Sequence, residues 1–123
     1  FNWMEKNKAD YTNTFCNLMD INSYEVYESS DFINWKNKWK KRSELNNSIK
    51  KKQIKLMREN NPIVIPRNHK VEEALDAAEN GNLDKLLNLL YVLKKPYNTQ
   101  EKTDEYLLPP HISGEKYQTF CGT

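Results

Sequence analysis

The sequence predicts an all-α fold, a small helical domain with a C-terminal antiparallel helical hairpin and an extended, partly mobile tail. Three observations carry that prediction. Apolar residues recur at helical spacing, as in Tyr11, Phe15, Leu18 and Met19. Only 3 Gly and 5 Pro occur in 123 residues, too few for the turns of a many-stranded sheet. Gly81 and Asn82 separate two alanine- and leucine-rich stretches with almost no loop between them, the signature of paired helices.

The elements follow in order. Tyr11, Phe15, Leu18 and Met19 share one helical face, with Asp10 placed to cap it, and Cys16 beside the stripe reads as core filler. Residues 20–30 are polar and read as a connection. Ser30 and Asp31 open a second helix that sets Phe32, Trp35 and Trp39 on one face, a large apolar payload best read as core. Helix continues over 44–60, after a break near Asn46, Asn47 and Ser48, with Ile49, Gln53, Leu56 and Met57 facing inward. Pro62 and Pro66 exclude the helical region for the residues before them, so 61–68 is a short, buried, extended connector. Its backbone needs hydrogen-bond partners, and Asn61, Arg67 and Asn68 are suited to supply them. Val71, Ala74, Leu75 and Ala78 then mark one helix and Leu83, Leu86, Leu87, Leu90 and Leu93 the next, which Pro96 stops. Past Tyr97 the pattern dissolves. The predicted organisation is therefore a helical region, 1–97, and a tail, 98–123.

Composition restricts the function. Mean hydropathy is −0.94 and 29% of residues are charged, so the core is thin. Net charge is only +2, which argues against a nucleic-acid partner. One basic block runs from Lys36 through Lys41 and Arg42 to Lys55; it reads as the solvated face of a helix pair, the alternative being a phosphate-binding or acidic-partner surface. Cys16, Cys121, His69 and His111 are scattered without metal-ligand spacing, so no metal site is expected. No apolar run reaches membrane-span length and no signal peptide is recognised, so the reducing cytoplasm is the expected compartment. The chain starts on Phe1 rather than Met, so a fragment of a longer protein is expected. No GxSxG, GxxxxGK[ST], GxGxxG or HExxH is present, and no catalytic residue is assigned. The stretch 74–90 is superficially ankyrin-like, but it has no second copy at that period.

Three stretches together carry a family resemblance: Asp10-Tyr11-Thr12 with Phe15 and Leu18; Asn61-Pro62 with Arg67-Asn68, leading through Ala74–Glu79 and Gly81 to Pro96-Tyr97; and Pro109-Pro110 with the ending Cys121-Gly122-Thr123. The chain resembles the C-terminal region of the selenoprotein O family along essentially its whole length. Pro66, His69 and the Cys-Gly-Thr ending depart from the usual pattern.

The resemblance implies a fragment of a larger, protein-kinase-like protein that transfers AMP from ATP to Ser, Thr or Tyr hydroxyls of other proteins. It implies ATP and Mg (or Mn) for the parent protein, bound outside this chain. It also implies a partner in the missing N-terminal kinase-like lobe. Family members carry selenocysteine or cysteine three residues from the end, and Cys121 occupies that place as the expected redox-regulatory residue. Asn61, Pro62, Arg67 and Asn68 match the family motif and are expected to be structural. The competing reading is a helical protein–protein interaction module without enzymatic activity.

Overall fold

A computed structural model describes residues 1–44, 50–100 and 103–110, and every regular element among them is helical. The helices are α1 (Asn2–Lys6), α2 (Tyr11–Leu18), α3 (Ser30–Glu44), α4 (Lys50–Asn60), α5 (Asn68–Glu79), α6 (Asp84–Leu93) and α7 (Asp104–Leu107). No helix among the described residues is long and apolar enough to cross a membrane. Contacts group the chain into two units. One comprises Phe1–Ile63 with Tyr97–Thr99; the other comprises Val64–Pro96 with the described residues from Gln100 onward.

In the first unit, Asp10 caps α2 as its sequence predicts: the side chain accepts from the Asn13 N–H at 2.9 Å. The face that α2 buries keeps Leu18, Met19 and half-buried Phe15 of the expected stripe but not Tyr11. Asn13, Thr14, Cys16, Asn17, Leu18 and Met19 are buried, while Tyr11 is 58% exposed, stacks on Phe1 and meets the Phe15 ring at a tilt. Polar residues tolerate that burial because each finds a partner. The Thr14 hydroxyl donates to the Asp10 carbonyl at 2.7 Å, and the Asn17 amide to the Asn22 carbonyl at 2.9 Å. The Asn22 amide in turn donates to the Asn13 carbonyl at 3.0 Å.

The connection expected over 20–30 contains a 3-10 turn, Glu25–Glu28, that delivers Tyr27 to the core. Leu18, Tyr27 and Phe32 form that core, with Trp3, Phe15, Val26, Trp39 and Met57 packed around it. Helix α1, unanticipated in the sequence, supplies Trp3, whose ring lies 4.6 Å from Phe32. Trp35 departs from expectation: it is 47% exposed, and Phe32 alone on its helix is fully buried. Lys36 ties the helices together by donating to the Asn17 carbonyl at 2.7 Å and to the Asp20 carboxylate at 2.9 Å. A cation at the C-terminal end of α2 meets both the orphan carbonyls and the negative end of the helix dipole. On α4, Gln53 and Met57 are half-buried as expected and Ile54 joins them, whereas Leu56 is exposed; Ile49 and the expected break at Asn46, Asn47 and Ser48 lie outside the described residues.

In the second unit, α5 and α6 pair as the predicted antiparallel hairpin. Gly81 takes φ +83°, and its N–H donates to the Ala78 carbonyl while that of Asn82 donates to Ala77, a Schellman closure. The Asn82 side chain then accepts from the Asp84 N–H at 2.9 Å, opening α6. The inward face of α6 again differs from the expected one. Leu89 and Val92 are buried and Leu86 and Leu93 half-buried, whereas Leu83, Leu87 and Leu90 are exposed. On α5, Ala74 is buried and Leu75 is 51% exposed. Within the stretch expected to be structureless, α7 forms, and Thr103 and Tyr106 are buried.

Candidate functional site

The residues of the family motif act locally, each on backbone close to it in space. Asn61 follows α4, and both its backbone N–H and its side-chain amide donate to the Met57 carbonyl at 2.8 Å. This satisfies one of the carbonyls that a helix end leaves orphaned. Pro62 cannot donate, and its carbonyl faces the Cys16 thiol at 3.9 Å. Cys16 is 1% exposed, so its thiol fills core, as the sequence indicates.

Arg67 is the motif's central residue in the second unit. It precedes α5 with φ −68° and ψ 130°, the extended backbone that a helix N-cap adopts. Its side chain is turned inward, leaving the residue 7% exposed. Nε donates to the Tyr106 carbonyl at 3.2 Å and Nη2 to the Leu107 carbonyl at 2.9 Å. The guanidinium therefore holds α7 to the start of α5 with its planar fork, a geometry that an ammonium cannot reproduce. Nearby, the Val64 N–H donates to the Pro96 carbonyl at 3.2 Å, so extended backbone on one side of α5 meets the end of α6. Asn68 begins α5 with an exposed side chain; the hydrogen-bonding role expected of it falls to Arg67.

Around this staple lies a small charged network. Lys70 reaches Glu73 at 3.2 Å and Glu105 at 3.8 Å, and Lys85 reaches Glu73 at 3.6 Å. Burial pulls the Glu73 carboxyl upward, but the Lys70 hydrogen bond and the charges of Lys70, Lys85 and His69 outweigh it and hold the group below its ordinary range. Burial lowers the His69 imidazole, and Lys70 adds to the effect. Burial also raises the Tyr106 phenol. These are the shifts of a structural ion-pair network: no nucleophile and general base face one another in it.

Among the described residues no group of three or more His, Cys, Asp or Glu side chains is placed to hold a metal ion. A depression of about 680 Å³ in the first unit is lined by Ile21, Arg58, Glu59, Ile63, Tyr97, Asn98 and Thr99 and brings no catalytic pair together. Cys121, the expected redox residue, and His111 lie outside the described residues. What sequence reasoning missed is the α7 side of the staple. Its only signal was Tyr106 beside Leu107, an apolar pair in a polar stretch.

No family model and no solved structure matches the chain. Curated relatives do. The chain is 50% identical to the "Protein nucleotidyltransferase YdiU" of Pelagibacter ubique over 124 residues, 99% of this chain and 26% of the relative. It is 45% identical to the protein of that name in Nitrosococcus oceani, over 98% of this chain and 25% of the relative. The Bacillus mycoides protein is 44% identical over the same shares. The chain thus spans about a quarter of the length of the relatives it matches.

Proposed function

We propose that this chain, 44–50% identical along nearly its whole length to proteins named protein nucleotidyltransferase YdiU, is the C-terminal helical region of a protein adenylyltransferase of the selenoprotein O family. The parent protein transfers AMP from ATP to Ser, Thr or Tyr hydroxyls of other proteins, and this region serves it as scaffold and regulator. The observation that carries the reading is the 50% identity spread over 99% of the chain, far more than a shared helical hairpin would produce.

Among the described residues no group of three or more His, Cys, Asp or Glu side chains is placed to hold a divalent cation. In this reading the kinase-like lobe supplies the nucleotide chemistry, and no step of the transfer is assigned to this chain. What these residues do is hold backbone: Asn61 closes α4, and Arg67 fastens α7 to α5.

Cys121 is the regulatory element in this reading. In this reading its thiol pairs with a second thiol of the parent protein; the two give up two protons and two electrons to a cellular oxidant as the disulfide forms. Cys16 is not that partner, because it is buried against Pro62. The test is AMP transfer by the full-length protein with and without reductant. Activity is expected to depend on reductant in the native protein and to lose that dependence in Cys121→Ser. Equal activity under both conditions in both forms would remove the redox role, and absence of AMP transfer altogether would remove the enzymatic reading.

A further inference from the structure

Helix α6 has two apolar faces, and the hairpin uses one. Leu86, Leu89, Val92 and Leu93 turn inward. Leu83, Leu87, Leu90 and Tyr91, spaced i, i+4, i+7 and i+8, form a second stripe that is 52%, 59%, 47% and 68% exposed. Leu87, Leu90 and Tyr91, with Leu93 and Lys94, line a groove of about 400 Å³. Asp84, Lys85 and Asn88 are left to form the narrow polar stripe of the helix. A helix apolar over most of its circumference belongs in an interior.

We infer that the outer face of α6, Leu83, Leu87, Leu90 and Tyr91, is an intramolecular docking surface covered by the part of the parent nucleotidyltransferase that lies outside these residues. This rests on the proposed function, and two observations select the occupant. The relatives are about four times as long as the matched stretch, so most of the molecule that would face this surface is outside the chain. The stripe itself exposes on the order of a few hundred Å², short of the roughly 800 Å² per partner that stable association of separate chains buries. A tethered neighbour needs less, because the connecting chain holds it at an effective concentration near millimolar. A second copy, or a free partner protein, would have to bind through this small patch unaided.

The experiment compares this chain alone with a full-length chimera, the Pelagibacter ubique relative carrying this chain in place of its matched stretch. Both carry Cys121→Ser, so that Leu87→Cys presents the one accessible thiol of the chain, Cys16 being buried. Maleimide labelling at Leu87→Cys, followed at that residue by peptide mass spectrometry, is expected to be fast in the chain alone and roughly tenfold slower or more in the chimera. Labelling at Asn88→Cys on the polar stripe is expected to be alike in both. Equal rates for Leu87→Cys overturn the inference, and so does equal slowing at both positions, which would mean that the chimera buries the helix without preference for this face. Sedimentation of the chain alone is expected to show a monomer; a dimer that Leu87→Lys dissociates would assign the face to a second copy and also overturn it. AMP transfer by the chimera reports separately on the proposed function, so failure of that reading is distinguishable from failure of the docking surface.

Discussion

A guanidinium cannot shed its charge, so burying one costs several kcal/mol unless its donors are met. At Arg67 the Tyr106 and Leu107 carbonyls meet them, 39 and 40 residues away in sequence. Arg67→Ala would remove the donors that meet both carbonyls and the packed side-chain stem. The expected loss is about 2–4 kcal/mol in urea denaturation. Arg67→Lys is expected to fall between the alanine variant and the native chain, since the ammonium keeps the charge and loses the fork. If Arg67→Ala changed stability by less than about 1 kcal/mol, the staple would be a contact without energetic weight. Half of this residue's role is legible in the sequence, because extended backbone bounded by prolines needs donors and acceptors and Arg67 is placed to provide them. The partner is not legible, because nothing local in Tyr106-Leu107 distinguishes two carbonyls from their neighbours.

Elements were legible where local chemistry decides them. The Asp10 cap, the Gly81 closure at positive φ and the Asn82 opening of α6 each depend on a residue type at a fixed offset, and each appears where that chemistry puts it. Helix faces were less legible. Helical periodicity marks which residues share a side, but a leucine-rich helix such as α6 offers two apolar sides, and tertiary packing chooses between them. On α2 the buried face rotated past Tyr11 to take in Asn13, Thr14 and Asn17, whose polar groups find partners inside the unit. The corrected register yields a paired expectation. Leu89→Ala removes a side chain that is 4% exposed and is expected to cost about 2–5 kcal/mol. Leu87→Ala, at 59% exposure, is expected to change the stability of the chain alone by under about 1 kcal/mol. Thermal melts of the two variants decide between the faces; a reversed order would return Leu87 to the core.

For the whole molecule, the buried polar groups of the described residues join one element to another. The buried polar groups of the first unit close a helix end, through Lys36 on Asn17, or pin the Asn22 loop to α2. Those of the second unit fasten α7 to the hairpin. The titratable groups that depart from ordinary behaviour, Tyr27, His69, Glu73 and Tyr106, do so through burial and ion pairing, with no convergent site around them. On the proposed reading, the nucleotide chemistry lies outside this chain. The 123-residue chain is expected to show no saturable binding of ATP in calorimetry, with or without Mg, and no transfer of AMP to a protein acceptor. The full-length chimera is expected to bind ATP and to transfer AMP. Saturable ATP binding by the chain alone would move part of the nucleotide site into these helices. The first place to look for it would be the depression beside Arg58 and Tyr97, which combines a guanidinium with an aromatic ring. Arg58→Ala would then be expected to abolish that binding while leaving the fold intact, since Arg58 is exposed on α4.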